Sequence, residues 1–238
     1  MKKVLLVILG LIIMFLSCAK KKEAPSIKLS QPKWSMINKY QIVVDTTQSG
    51  TYFLTNKTSP LGNDTIIELT AVTLVKSING ESRDSSSLIL HKDNLKPIKS
   101  LKIITSRGAT LSSEIAYTDN KAIIKAKLPS GEKSITIPIG PNSFDNDEIT
   151  TVIGALDIKA GEEKELSVVV GLSGTSIPVK IKSIGEEKIK VPAGEFDCNK
   201  YEMTLVGRAI NVWYEKAETK RMIKYLDTQS NMAMILIP

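Results

Sequence analysis

Few side chains in this sequence are suited to catalysis or to metal binding. The chain has a single histidine, His91, so a histidine cluster for zinc and a two-histidine iron site are both excluded. His91 follows the apolar run Leu88-Ile89-Leu90 and precedes Lys92-Asp93-Asn94, which favours a polar residue beside a turn over a catalytic base. We therefore expect no metal and no cofactor.

Two stretches match chemical motifs only in part. Asp145-Asn146-Asp147-Glu148 has the acidic spacing of a calcium loop, but Thr150 stands where an EF-hand has glycine. Asp145 or Asp147 is better explained as the N-cap of a helix, whose free N–H groups a carboxylate can accept. Gly171-Leu172-Ser173-Gly174-Thr175 lacks the last glycine of a nucleophile elbow, and a loop between strands explains its glycines.

The remaining candidates also have structural explanations. Glu162-Glu163 and Glu186-Glu187 are carboxylate pairs, which we interpret as solvated turns and not as acid–base pairs. Cys198 shares one face of a predicted strand with Phe196, so we expect a buried thiol with a high pKa and little reactivity. No catalytic residue is assigned, and we expect a protein that is not an enzyme.

The N-terminus predicts export. Lys2 and Lys3 precede the apolar run 4–16, which is too short to cross a bilayer and is typical of a signal peptide, here residues 1–17. The segment ending in Cys18-Ala19 resembles the lipobox of bacterial lipoproteins, although Phe15 replaces the usual aliphatic residue. The resemblance implies lipid attachment at Cys18, and Ala19 favours an outer membrane, facing the periplasm. The alternative is that Cys18 is a small residue of an uncleaved anchor.

The basic charge belongs to the segment that follows the cysteine. The formal charge of the chain is +7, but five lysines against Glu23 give residues 19–33 a net charge of +4. Residues 18–33 are therefore predicted to form a flexible, lipidated tether. Its lysines either attract the tether to an anionic membrane or only keep the tether solvated. The rest of the chain is close to neutral, which argues against a nucleic-acid partner.

Residues 34–238 predict a single β-rich domain. Apolar residues alternate with polar ones in three clear runs, 122–128, 134–139 and 177–182, as in strands with one buried face. We expect about 12 to 14 strands by pattern counting in an antiparallel curved sheet, half-barrel, barrel or sandwich, with one short helix near 147–156. The turn signals between the strands are Ser49-Gly50, Asn79-Gly80, Asp119-Asn120, Pro129-Ser130-Gly131, Ala160-Gly161 and Ala193-Gly194. Pro138 and Pro178 lack the N–H of a ladder bond and predict edges or bulges.

A family resemblance rests on the C-terminal third of the chain. Val191-Pro192-Ala193-Gly194-Glu195-Phe196, then Val212-Trp213-Tyr214 and Lys220-Arg221-Met222-Ile223-Lys224, follow Leu156-Asp157-Ile158-Lys159-Ala160-Gly161. Together these segments resemble the bacterial domain-of-unknown-function family 3108, whose members are mostly exported envelope proteins, over roughly residues 38–235. The resemblance implies a β-rich envelope domain and no activity. Trp213 and Tyr214 should face opposite sides of a strand, so we expect at most one of them in the core.

Three functions fit these observations. The leading hypothesis is an envelope protein that carries a lipid or another hydrophobic ligand inside a curved sheet. The alternatives are an interaction module that supports an envelope assembly and a hydrolase that uses carboxylates alone. A cavity would favour the first, a large apolar surface patch the second, and two carboxyls facing across a cleft the third.

Overall fold

The computed structural model describes residues 27–77 and 80–238, which form fifteen β-strands and one short helix. The strands are β1 (Met36–Val44), β2 (Thr47–Leu61), β3 (Asp64–Ser77), β4 (Gly80–His91), β5 (Pro97–Ser106), β6 (Ala109–Tyr117), β7 (Lys121–Leu128), β8 (Gly131–Pro138), β9 (Ser143–Asp145), β10 (Glu163–Val170), β11 (Thr175–Val191), β12 (Gly194–Leu205), β13 (Arg208–Glu215), β14 (Met222–Asp227) and β15 (Met232–Ile237). Helix α1 (Ile149–Ala155) follows a 3-10 turn at Asn146–Glu148. The predicted mostly-β domain and the helix near 147–156 are both confirmed. Within the described part of the chain, no helix has the length and apolar character needed to cross a bilayer.

All fifteen strands belong to one open sheet. Its order is β8-β7-β6-β5-β4-β3-β2-β1-β15-β14-β13-β12-β11-β10-β9, and every neighbouring pair is antiparallel except β9 and β10. The first and last strands of the chain therefore pair in the middle of the sheet. The edge strands β8 and β9 are consecutive in the chain and are joined by residues 139–142. Because this link is short, the two edges must lie close together although no ladder joins them.

The sheet curls until its inner faces pack against each other. Val169 on β10 packs with Ile115 and Ile124, which lie on β6 and β7 at the other end of the sheet. Helix α1 joins the main core of this curved sheet. A Cβ at Gly154 would lie 2.8 Å from the Tyr214 ring, so glycine allows the helix to pack directly on β13. The predicted curved antiparallel sheet is thus confirmed as an open sheet, not a closed barrel.

The period-two pattern predicts the inner face correctly. Ala122, Ile124 and Ala126 of β7 are buried, Ile123 between them is half-buried, and the three lysines of the strand are exposed. Pro138 ends an edge strand, and Pro178 of β11 lies one residue beyond the last pair with β12. Both prolines therefore lie where one side of the strand has no ladder partner, as predicted.

Several local predictions are corrected. The structure has fifteen strands and not 12 to 14, partly because β9 is three residues long and fully buried, which leaves no alternation to detect. Ser49-Gly50 lies inside β2 and not in a turn. Glycine is needed at position 50 because a Cβ there would lie 2.2 Å from the Leu74 carbonyl oxygen of β3. Glu186-Glu187 lies within β11.

Trp213 and Tyr214 are both buried, so the expectation of a single core anchor is wrong. Tyr214 faces the main core and donates a hydrogen bond to the Thr150 carbonyl oxygen of α1 at 2.5 Å. Trp213, on the opposite face of the strand, also belongs to the main core cluster, and the ammonium groups of Lys200 and Lys224 lie 4.9 and 5.2 Å from its ring centroid. Long charged side chains bury an aromatic ring on the solvent side, which strand alternation alone does not reveal.

The predicted signal peptide (1–17), the lipid attachment at Cys18 and the first part of the tether lie outside the described residues. Residues 27–33, the rest of the expected tether, contact the domain. Leu29 forms a β-bridge with Leu156, and the Ser30 N–H donates to the Ala155 carbonyl oxygen at 2.7 Å. Contact with the folded domain therefore begins before residue 34. Asn79 of the predicted Asn79-Gly80 turn also lies outside the described residues.

Candidate ligand-binding site

The candidate site is built around the segment that leads from β9 into α1. Asp145 is the N-cap of the 3-10 turn, as one of the two predicted alternatives requires, and its Oδ1 accepts the Asp147 N–H at 2.9 Å. Glu148 completes a capping box, because its Oε1 accepts the Asp145 N–H at 2.6 Å. The acidic run is therefore a helix start. Asp147 contacts Lys102 of β5, and Asp145 accepts a hydrogen bond from Tyr117 of β6. Glu148 is fully buried.

Two of these carboxyls are buried beside a tyrosine and form what we call the Asp145 cluster (Tyr117, Asp145, Glu148). The Tyr117 hydroxyl donates to Asp145 Oδ2 at 2.6 Å. Burial, with a contribution from Asp147, raises the pKa of Asp145 to about 6. Burial and the neighbouring Asp145 raise the pKa of Glu148 well above its usual value, and Glu148 Oε2 has no hydrogen-bond partner among the described residues. The two carboxyls of the cluster are buried, whereas Tyr117 is half-buried, and the interactions of the carboxyls with the helix start are structural.

The Lys102 network (Asp84, Ser86, Lys102, Asp147) lies beside this cluster. Lys102 Nζ is 2.9 Å from Asp84 Oδ1 and 2.8 Å from Asp147 Oδ1, and the Ser86 hydroxyl donates to Asp147 Oδ2 at 2.7 Å. Burial acts to lower the pKa of Lys102, but the two carboxylates outweigh it and raise that pKa. Burial raises the pKa of Asp84 despite the opposing effect of Lys102. One ammonium thus joins strands β4 and β5 to the helix start.

A cavity of about 230 Å³, the interior cavity, lies between the two limbs of the curved sheet. The Lys102 network forms its polar end, together with Asn146 and the hydroxyl-bearing residues Thr73 and Thr150. Its opposite wall is largely apolar and consists of Met203, Leu205, Tyr225, Met232 and Met234 on strands β12, β14 and β15. The space therefore has the two-sided chemistry of a site for an amphipathic molecule.

A second cavity of about 360 Å³, the rim cavity, opens at one end of the sheet. Three chain segments form its walls: the β4–β5 connection with His91, Asn94 and Lys96, the β6–β7 turn with Tyr117 and Asp119, and the β8–β9 link. Lys96 Nζ donates to the Ser143 carbonyl oxygen at 3.0 Å and lies 3.6 Å from the Phe144 ring centroid. Burial lowers the pKa of Lys96 to about 8, with Glu148 opposing the shift.

The structure brings only some of the residues singled out in the sequence to the candidate site. His91 ends β4 and lines the rim cavity, and Asp145 to Glu148 form the core of the candidate site. Cys198 is fully buried, as predicted, and burial raises its pKa to about 11. Of the predicted loop, Gly171 packs against Ser113, and Ser173 hydrogen-bonds Thr175 at 2.6 Å. Among residues 27–77 and 80–238, no group of three or more His, Cys, Asp or Glu side chains is arranged to hold a metal ion.

Sequence reasoning missed Asp84, Lys96, Lys102 and Tyr117. A weak signal was present, because Ser100 and Lys102 are spaced by two in β5 and place polar groups on its inner face. Their partners lie on other strands and on the helix start, and a single sequence gives no indication of such pairings.

The comparisons with known proteins identify a family without an assigned function. The family model "Protein of unknown function (DUF3108)" matches residues 37–234. No curated protein matches the chain. A beta-barrel-like protein of the DUF1849 domain of unknown function from Brucella abortus shares 9% identity at a TM-score of 0.57, over 89% of this chain and 98% of that chain. A Bacteroides fragilis protein, described as exported and as having a YmcC-like fold, shares 10% identity at a TM-score of 0.38, over 88% of this chain and 97% of that chain. At such identities the first likeness concerns the fold alone, and the second carries no argument.

Proposed function

The chain belongs to the DUF3108 family of unknown function, and we propose a function from its site. We infer that it is a cell-envelope lipoprotein that binds a small amphipathic molecule in the interior cavity. The binding is non-catalytic. The observation that carries the proposal is the combination, in one cavity, of a methionine-rich wall and a hydrogen-bonding polar end.

The apolar wall is suited to a ligand of irregular shape. Met203, Met232 and Met234 supply flexible, polarizable thioethers that adapt to the surface they contact. A volume of about 230 Å³ accommodates about eight non-hydrogen atoms at ~30 Å³ each. We therefore expect the ligand to place a short acyl segment or a single ring in the cavity. A longer chain would require the methionines to move.

The polar end selects the head group. Asp84 and Asp147 together carry two negative charges against the single positive charge of Lys102, so the network is negative overall when all three groups are ionised. A carboxylate or phosphate would be repelled there, whereas a hydroxyl, amide or ammonium group finds acceptors. The ligand we expect is a neutral or cationic amphiphile.

The cellular location rests on the N-terminal sequence. The basic start, the short apolar run and Cys18 support export and lipid anchoring, with the lysines that follow Cys18 adding attraction to an anionic leaflet. An outer-membrane position facing the periplasm follows from Ala19 by analogy with lipoprotein sorting. A domain held at a membrane is well placed to exchange amphipathic molecules with it.

The two alternative functions receive less support. The most exposed large apolar residues of the described chain, Ile37 and Val206, lie on β1 and in the β12–β13 turn and do not form one patch for a protein partner. Asp84 and Asp147 do face the same cavity, as a hydrolase would require, but both are bound to Lys102. Neither is therefore free to act as a general acid or base.

Native mass spectrometry tests the proposal. The mature chain from residue 19 would be exported behind a non-lipoprotein signal peptide, purified without detergent, and analysed for co-purifying molecules. The expected result is a bound neutral or cationic amphiphile, or its uptake when a medium-chain alcohol or amine is added. Met232→Trp, which fills the cavity, should weaken binding at least about tenfold. Ile103→Trp on the outer face of β5 is the matched control. A clean protein that takes up no amphiphile, or equal binding by both variants, would refute the proposal.

A further inference from the structure

The rim cavity contains a cation that lacks a counter-ion. Lys96 Nζ contacts the Ser143 carbonyl oxygen and the Phe144 ring, and it forms no ion pair with the carboxylates of residues 27–77 and 80–238. These two contacts satisfy one N–H and stabilise the positive charge only partly. The ammonium is half-buried and lines an open cavity, so it remains available to a ligand.

The carboxyl group behind Lys96 does not supply the missing charge. Glu148 interacts with Lys96 electrostatically, but burial and Asp145 raise the Glu148 pKa well above its usual value. Glu148 therefore retains its proton at pH values where an exposed glutamate has lost it. Asp145 is bound to the Tyr117 hydroxyl and to the backbone N–H of Asp147, which directs its oxygens elsewhere.

We propose that the rim cavity binds a small organic carboxylate, with the carboxylate group on Lys96 Nζ. The side chains of Ile98, Ile139 and Pro141 give the cavity an apolar surface for the rest of the ligand. Asn94 adds an amide that can donate to the second carboxylate oxygen. The volume of about 360 Å³ lies within the range of small-molecule sites, roughly 300–1,000 Å³.

The other charged and titratable groups of the cavity do not oppose this assignment. Asp119 is exposed at the mouth of the cavity, where solvent and salt screen its charge. His91 is exposed and is neutral or cationic, so it does not repel an anion. The interior cavity has the opposite preference, for neutral or cationic head groups, because two carboxylates surround its single lysine. The two sites can therefore be tested independently.

The experiment uses three probes with the same apolar chain: hexanoate, hexanol and hexylamine. Each is titrated into the ¹⁵N-labelled mature chain while backbone amide shifts are recorded. Hexanoate should shift the amides of residues 96, 98, 117–119, 139, 140, 142 and 143. Hexanol and hexylamine should bind there at least about tenfold more weakly. Inorganic phosphate, a fourth probe, lacks the apolar part and should also bind more weakly than hexanoate.

Lysine variants assign the effect to one side chain. Lys96→Met should abolish the shifts caused by hexanoate, and Lys96→Arg should retain part of them because the positive charge remains. Lys99→Met is the matched control, since Lys99 lies on the outer face of β5 in an exposed ion pair with Glu114. The proposal is overturned if hexylamine or hexanol shifts the rim-cavity amides as strongly as hexanoate, if phosphate alone shifts them, or if Lys96→Met leaves the hexanoate shifts intact. It is also overturned if hexanoate does not shift these amides below about 10 mM. Binding of hexylamine in the interior cavity would not rescue it.

Discussion

Removal of the Lys102 ammonium should leave two carboxylates facing each other inside the curved sheet. In Lys102→Met the side chain keeps a similar length and apolar stem, but Asp84 and Asp147 lose their shared cation. Removing one partner of a fully buried pair costs about 3–5 kcal/mol, whereas an exposed pair contributes about 0–1 kcal/mol. The side chains of Lys102 and Asp147 are 19% and 16% exposed and that of Asp84 is 34% exposed. The pair thus lies between these limits, and we expect a loss of about 2–3 kcal/mol in the free energy of unfolding.

The loss should depend on pH in a defined direction. Burial already raises the pKa of Asp84 in the folded protein, and without Lys102 to oppose it this pKa rises further. A carboxyl whose folded pKa is raised contributes stability that is present at low pH and is lost as pH rises through the folded pKa. The cost of Lys102→Met should therefore be larger at about pH 7.5 than at about pH 4.5. Lys102 itself has a raised pKa, so its contribution in the native protein is fully present below its usual pKa of 10.5.

Urea unfolding followed by tryptophan fluorescence measures the effect at both pH values. A loss of 2–3 kcal/mol corresponds to a decrease in Tm of about 4–12 °C for a chain of this size. Lys99→Met, which breaks the exposed Lys99–Glu114 pair, should cost less than about 1 kcal/mol and serves as the control. If the two variants lose the same stability, or if the loss in Lys102→Met is the same at both pH values, the reasoning is refuted.

Three further substitutions or treatments test other parts of the structure. Because the folded pKa of Glu148 is raised, the contribution of Glu148 to stability falls as pH rises. Glu148→Gln should weaken this pH dependence and should be no less stable than the native protein at about pH 8 in urea unfolding. A loss above about 2 kcal/mol at that pH would contradict this expectation. Gly50→Ala places a Cβ against the Leu74 carbonyl oxygen and should lower the free energy of unfolding by about 1–3 kcal/mol in thermal unfolding. The control Gly140→Ala has open space at its Cβ and should change this free energy by less than about 0.5 kcal/mol. Equal losses would refute the close approach of β3 to Gly50. Burial raises the pKa of Cys198 to about 11, so this thiol should not react with a thiol reagent at about pH 7.5 in the folded protein but should react in urea, as measured by mass spectrometry. Equal rates would show that the thiol is accessible.

The parts of the fold that the sequence predicts are those set by neighbours in the chain. The inner face of β7 follows from the period-two run at Ala122, Ile124 and Ala126. The helix start follows from Asp145 because a cap needs only the next three residues. The family resemblance rests on short segments of the sequence, and the family is confirmed over residues 37–234.

The parts that the sequence does not predict depend on contacts between distant residues. Lys102 meets Asp147 only because the sheet curls, and nothing near either residue in the chain indicates the pairing. Gly50 resembles a turn residue, and its role inside β2 depends on how closely β3 approaches. Trp213 is buried on the outer face by lysines from β12 and β14. A pattern of buried and exposed positions along one strand cannot show such cover.

The position of β1 and β15 in the middle of the sheet has a consequence for folding and for engineering. Read from β9 through β15 and on from β1 to β8, the strand order is the chain order of a circularly permuted protein that begins near Ser143 and ends near Gly140. In such a permutant, strands that are neighbours in the sheet would also be consecutive in the chain. The native chain must instead pair β1 with β15, which are separated by nearly its whole length. The native sheet therefore cannot be completed until the last strand has been synthesised. A permutant with a linker from Pro238 to the start of β1 should fold faster than the native chain.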